Sequence, residues 1–318
     1  MSIVYNGELD KRTAKEIFAS VIPELCQSDP DVIYLDADLM SCIGTTKWAK
    51  ANPERAINCG IAEANMVGVA AGLASGGFKP IVHSFGPFAS RRVFDQVFLS
   101  AGYAKNDITV IGTDPGVTAA LNGGTHMPFE DVALYRTIPT ATVLEPSDPT
   151  VLASLLRQCV DLPGVKYIRT GRKQLARIYS DDFVPTIGKG EVLRDGTDVT
   201  IFAAGLLLHE AMKAAEALAA EGISAAVIDL FSIKPIDADL IEAYARKTGA
   251  VVVAENHSRH GGLYSAVLEV LAERCPVRCA NVSIEDEYGE VGPQSYLQER
   301  FELTDAHIIS QVKKVLGK

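Results

Sequence analysis

The 318-residue chain has no Cys-x-x-Cys pair, a single tryptophan, and no apolar stretch near the roughly 18 to 20 residues needed to span a membrane. Its six cysteines, Cys26, Cys42, Cys59, Cys159, Cys275 and Cys279, are scattered. Cys275 and Cys279 lie close together but lack a second pair or nearby histidines. The pattern therefore reads as buried free thiols in a reducing compartment rather than a metal site or disulfide framework. The N-terminus lacks the basic start and apolar run of a secretory signal, so the expected location is cytoplasmic. Positive charge is also short: 30 Lys and Arg against 40 Asp and Glu leave a net charge of −10. That balance argues against a nucleic-acid backbone or an anionic membrane as partner. Any anionic ligand must meet a local knot of positive charge.

A hydrophobic share of 47 % and a charged share of 22 % are those of an ordinary globular protein. The length exceeds one typical domain and favours two. Short β-branched runs (32–35, 107–112, 140–144, 166–169, 199–204, 224–230 and 250–254) alternate with helical patterns (62–74, 93–104, 149–159, 208–220, 237–247 and 264–274). Near-continuous apolar strands between amphipathic helices predict an α/β fold: two doubly wound domains with mostly parallel sheets. A polar, turn-rich segment from Ser180 to Gly190 separates a domain over 1–185 from one over 190–318. Ligands of such sheets sit beyond the carboxyl ends of the strands.

Three stretches carry chemistry. Asn58-Cys59-Gly60-Ile61-Ala62-Glu63 opens a helix of small residues, with Met66, Val69, Ala70 and Leu73 as its apolar stripe. Glu63 lies at the stripe's edge, facing a packed neighbour, although a first-turn glutamate that reaches solvent has the same spacing. His83-Ser84-Phe85-Gly86-Pro87-Phe88 sets two phenylalanines three residues apart in a chain only 7 % aromatic, where core packing is the ordinary use. Gly123-Gly124-Thr125-His126-Met127-Pro128 is a loop that presents a histidine. Arg169, Arg172 and Lys173 form the clearest basic knot, suited to bidentate phosphate binding or to a solvated turn.

In this order, the three stretches resemble the pyrimidine-binding domain of transketolases and deoxyxylulose-phosphate synthases. A Gly-Ile-x-Glu segment is followed there by Phe-x-x-Phe and then by Gly-x-Thr-His-x-Pro. The similarity runs from about Arg12 to the C-terminus. Ala204-Gly205, Asp229-Leu230 through Lys234-Pro235, and Glu255-Asn256 before Gly261-Gly262 look like the family's C-terminal domain.

The resemblance implies a thiamine diphosphate enzyme, in which the cofactor carries the hard chemistry. It assigns Glu63 to the aminopyrimidine ring as a catalytic carboxyl. Phe85 and Phe88 become the wall against that ring, and Asp38 a contributor to the cofactor site. His126 is implied near the reacting carbonyl of a sugar, Arg169 at its phosphate, and Arg12 as a helper from the first helix. Arg91 stands where sugar transketolases often carry a third aromatic. Asn122 replaces an aspartate that reads a substrate hydroxyl, and Asn65 replaces a histidine beside the glutamate. These departures point away from ordinary pentose phosphates, toward a specialised sugar phosphate.

The family holds the diphosphate through Mg²⁺ or Ca²⁺ with a Gly-Asp-Gly segment, which this chain lacks. The resemblance therefore implies a separate partner subunit carrying the diphosphate-binding domain and most of the metal site, in an α2β2 assembly. A split transketolase transferring a two-carbon ketol unit is the leading reading. Its alternatives are the β subunit of a 2-oxo acid dehydrogenase-type or deoxyxylulose-phosphate synthase-type enzyme, and a non-catalytic scaffolding subunit.

Overall fold

The computed structural model describes residues 2–318. Its strands are β1 (Leu9–Thr13), β2 (Val32–Asp36), β3 (Ala56–Asn58), β4 (Lys79–Phe85), β5 (Ile108–Thr113), β6 (Thr142–Leu144) and β7 (Val165–Thr170). They continue as β8 (Gln174–Ala176), β9 (Glu191–Arg194), β10 (Val199–Ala203), β11 (Ala225–Asp229), β12 (Ser232–Lys234), β13 (Ala250–Ser258) and β14 (Arg278–Ile284). A seven-stranded sheet has the order β12-β6-β7-β5-β4-β2-β3, and a five-stranded sheet the order β14-β13-β10-β11-β9. All pairings within each sheet are parallel except those of β12 and β9, at one edge of each. The expected architecture of two mostly parallel sheets is therefore present. Every residue of β5 and β7 is buried, because helices cover both faces.

Local signals explain the helix ends. Thr13 and Glu16 form a reciprocal capping box at the start of Ala14–Ser28. Asp148 Oδ1 accepts from Val151 N over 2.8 Å at the start of Pro149–Cys159, where proline takes the first turn.

Two expectations need correction. The pattern over 93–104 predicts one helix, but the segment runs as a 3-10 turn (Arg91–Val93), an α-turn (Phe94–Gln96) and a π-helix (Val97–Tyr103). The wide turn brings Gly102 so close to the neighbouring segment that a Cβ there would stand 2.9 Å from Ile138 Cγ2. In Glu63–Ser75 the inward residues are Glu63, Met66, Val67, Ala70 and Ala71, while Val69 is exposed. With alanine and glycine on nearly every side, this helix has no strong polar face to mark its orientation.

The two halves of the chain are also stitched together. β12, from the second half, pairs antiparallel with β6, setting Ser232 against Leu144 and Lys234 against Val143. At Gly116 (φ +53) the first half's backbone meets the side chain of Asn256. A Cβ at Gly116 would collide with Asn256 Oδ1, which accepts from Val117 N over 3.0 Å.

Candidate functional site

The carboxyl ends of β2, β4 and β5 lie side by side, and a buried polar chain crosses them. Tyr34 donates to Asp36 Oδ2 over 2.5 Å; His83 Nδ1 is 2.7 Å from the same oxygen, and His83 Nε2 is 3.1 Å from Thr113 Oγ1. All four side chains are fully buried, so each polar atom needs these partners. Asp36 also accepts from Leu39 N, which turns the chain after β2 and presents Asp38 at φ +65. Asp38 Oδ1 in turn accepts from Asn58 Nδ2 over 2.9 Å. This network ties down the loop on one side of the site and β4 beneath it.

Above it stands Glu63, the first residue of its helix and only 2 % exposed. Ser84 Oγ donates to its Oε1 over 3.0 Å, and Arg92 Nη1 donates to its Oε2 over 2.8 Å. The guanidinium of Arg92 lies 3.7 Å over the ring of Phe88. Phe85 and Phe88 have centroids 6.5 Å apart, and the ring of His126 meets them edge-on at 5.9 and 5.1 Å. Thr125 Oγ1, 2.9 Å from His126 Nδ1, fixes the imidazole from the other side. The fold thus brings Glu63, Phe85, Phe88 and His126 into one cluster.

Arg172 joins that cluster and Arg169 does not. The Arg172 guanidinium is 4.9 Å from the Phe85 ring centroid, and its Nε is 2.5 Å from Asp114 Oδ2. Burial raises the pKa of Asp114 above the usual carboxylate range, although the adjacent Arg172 cation opposes that rise.

Arg169 is wholly buried on β7 and so does not face a substrate phosphate, contrary to the expectation from the sequence. Its Nε donates to Asp131 Oδ2 over 2.8 Å, and its Nη2 donates to Asn256 O over 3.0 Å. Its Nη1 stands 2.7 Å from Glu145 Oε2 as a close ion pair angled poorly for a hydrogen bond. Burial would favour the neutral guanidine, but the Asp131 and Glu145 carboxylates outweigh it and hold the charge. Arg169 locks the first half of the chain to the second.

Other expected residues lie outside this cluster. Arg12 lies in β1, not in the first helix, and its guanidinium is held by Asp10 at 2.8 Å and Asp181 at 3.0 Å. Arg91 is exposed and does not extend the aromatic wall. It bonds Glu130 Oε1 over 2.7 Å and Thr125 O over 3.1 Å, which braces the histidine loop. Asn122 is exposed at the end of a 3-10 stretch (Gly116–Asn122), and Asn65 is exposed on the glutamate's helix. Beside the histidine loop a cleft of about 770 Å³ is lined by Arg91, Thr125, Met127 and Glu130, and by Tyr288 and Glu290 of the second half.

Reading the sequence missed Arg92, Ser84 and the Asp36–His83–Thr113 chain. The position of Ser84 between His83 and Phe85 was the available signal, because a strand end beside a candidate carboxyl offers hydroxyl donors. Nothing in the linear pattern separated Arg92 from Arg91.

Two family models match the chain: the transketolase pyrimidine-binding domain over residues 10–177 and the transketolase C-terminal domain over residues 188–308. A 6-deoxy-6-sulfo-D-fructose transketolase subunit of Clostridium sp. (strain MSTE9) is 45 % identical over 99 % of this chain and 98 % of its own length. An apulose-4-phosphate transketolase subunit from Phocaeicola vulgatus is 36 % identical, over 86 % of this chain and 88 % of its own. A solved split-gene transketolase, described as an inactive β4 tetramer, superposes with a TM-score of 0.89 at 40 % identity. That match covers 96 % of this chain and 98 % of the solved one.

Proposed function

The chain belongs to the transketolase family, carrying its pyrimidine-binding and C-terminal domains, and from that premise we propose that it is the β subunit of a split transketolase. It works with a partner subunit that supplies the diphosphate-binding domain, in the cytoplasm, as an α2β2 assembly. The observation that carries this reading is Glu63: a buried carboxylate with one oxygen set by Ser84 and the other held by Arg92, whose guanidinium lies over the face of Phe88. The relative described as an inactive tetramer of β chains supports the need for a partner.

The residues fit the aminopyrimidine half of thiamine diphosphate. Glu63 Oε2 accepts an N–H from a flat cationic group that lies on Phe88, and an aminopyrimidine bonded through ring N1′ asks for the same acceptor and the same face. When bound, the cofactor supplies the nucleophilic carbon that takes up the ketol unit. Glu63 holds the proton at N1′, and Ser84 keeps the carboxyl from rotating. Phe85 and Phe88 set the plane of the ring, while Asp38 and Asn58 shape the rim. His126 hydrogen-bonds the sugar beside its reacting carbonyl. Arg172 receives the anionic end of the substrate, the role expected of Arg169. The metal, Mg²⁺ or Ca²⁺, and the diphosphate belong mainly to the partner.

The donor is a ketose with a terminal anionic group, and the sulfonated hexose named for the relative 45 % identical to this chain heads the candidates. The test mixes this chain with its partner subunit, thiamine diphosphate and Mg²⁺, then follows ketol transfer from 6-deoxy-6-sulfofructose, apulose 4-phosphate and fructose 6-phosphate. Transfer only in the mixture is the expected result. Full transfer by this chain alone would remove the two-subunit reading, and lipoyl acylation in place of ketol transfer would favour a 2-oxo acid dehydrogenase.

A further inference from the structure

Arg92 makes two contacts that a pyrimidine ring would need for itself. Its Nη1 is 2.8 Å from Glu63 Oε2, and its guanidinium carbon is 3.7 Å from the centroid of Phe88. Ser84 already holds Glu63 Oε1, so Arg92 stands at the oxygen that remains. The guanidinium is flat, carries N–H donors along its edge and stacks on aromatic faces. In shape, donor placement and charge it imitates an aminopyrimidine protonated at N1′. A carboxylate oxygen accepts more than one hydrogen bond, but only one flat group fits against one face of the Phe88 ring at that oxygen.

Two further observations give this contact a direction. Glu63 is 2 % exposed, whereas the Arg92 side chain is 42 % exposed and springs from a short 3-10 turn at the surface. The carboxylate is fixed, and the arginine can swing into solvent without disturbing the core. A buried carboxylate without a partner is costly, so Arg92 also satisfies Glu63 before assembly. Arg91, its neighbour, bonds Glu130 and Thr125 O and has no contact of this kind.

We propose that Arg92 is an autoinhibitory latch: in the unassembled chain it takes the place of the pyrimidine ring between Glu63 and Phe88, and it must swing out before the cofactor seats. This rests on the reading of Glu63 and Phe88 as the pyrimidine site. The latch keeps the lone subunit from holding cofactor unproductively and makes holoenzyme formation wait on displacement of one side chain.

Thiamine, which lacks the diphosphate and so probes the pyrimidine half alone, tests the latch on the isolated full-length chain. Binding is measured by equilibrium dialysis for the wild type, Arg92→Ala and Arg92→Lys, with thermal unfolding as a check on folding. The expected result is an affinity about tenfold higher in Arg92→Ala, a difference of about 1.4 kcal/mol. Arg92→Lys, which keeps the charge but loses the flat stack, falls between. Adding Phe88→Ala or Glu63→Gln to Arg92→Ala abolishes the gain.

Equal or weaker binding by Arg92→Ala, or no binding by either protein, overturns the latch. A gain that survives both Phe88→Ala and Glu63→Gln overturns the pyrimidine-site reading itself, and the latch with it. In the assembled enzyme, Arg92→Ala shortens the lag between cofactor addition and full calorimetric saturation. An unchanged lag counts against displacement as a required step.

Discussion

Arg169 Nε donates to Asp131 Oδ2 over 2.8 Å, and neither side chain reaches solvent. Tyr167 donates to the same oxygen over 2.8 Å, and Asn256 O, from the second half of the chain, accepts from Arg169 Nη2. A charge so placed is structural. Removing it strands two carboxylates, Asp131 and Glu145, in a dry interior. Arg169→Gln should therefore lower stability by about 3–5 kcal/mol, the cost of breaking a buried ion pair from one side. Urea denaturation checks it. A loss near zero, with the KM for anionic donors raised instead, would restore Arg169 to the substrate.

Arg172 has the opposite profile. Its guanidinium is partly exposed and sits by Phe85, with Nε committed to Asp114. Arg172→Lys keeps a cation beside Asp114 but loses the planar fork. In the reconstituted enzyme, KM for an anionic donor should rise about tenfold or more while kcat changes little, because bidentate grip is ground-state binding. Steady-state kinetics with charged and uncharged donors separates this from a general loss of activity.

Glu63→Gln keeps the shape of the side chain and its bond to Ser84 but removes the charge. Ketol transfer should fall by about 10²-fold or more, the usual scale for losing a positioned acid or base. The exchange of the thiazolium C2 proton, followed by NMR in the assembled enzyme, should slow in parallel. Exchange at the wild-type rate would separate Glu63 from cofactor activation.

Sequence reading succeeded where several local signals agreed. Pro149–Cys159 has a capping aspartate, a proline in its first turn and an amphipathic body, and the structure places the helix over those residues. Spacing and resemblance single out Glu63, Phe85, Phe88 and His126, and the fold gathers them. What stayed hidden depends on distant neighbours. A strand-end arginine looks the same in one dimension whether it meets a phosphate or two buried acids, and Asp131 and Glu145 lie outside its local segment. β12 is three residues long, too short for a periodic signal, yet it joins the second half of the chain to the first sheet. The choice between Arg91 and Arg92 turns on one residue in a 3-10 turn, where helical spacing gives no guide.

Near the junction of the two halves the buried acids set a pH dependence. Asp229, wholly buried at the end of β11, accepts from Ser147 over 2.8 Å and from Tyr179 over 2.9 Å. Burial raises its pKa to about 8 and that of Glu255 to about 7, while burial pushes His257 down to about 4. For both acids the folded state binds more protons than the unfolded state, whose carboxylates titrate near 4. Their contribution is complete below that value and is lost as pH rises through about 7 and about 8. His257 acts in the opposite sense, because its contribution is lost as pH falls below its unfolded value of about 6.5, so the effects oppose one another only on the acid side. Between pH 6.5 and 8 the acids remain alone, and unfolding free energy should fall by up to about 1.4 kcal/mol per pH unit from Asp229. Asp229→Asn stays neutral and keeps the shape of the protonated acid, so the part of the slope that Asp229 supplies should vanish over this interval, leaving that of the other buried acids, Glu255 among them. Urea denaturation of both proteins across that range measures the difference. Equal slopes would mean that Asp229 is already ionised in the folded chain.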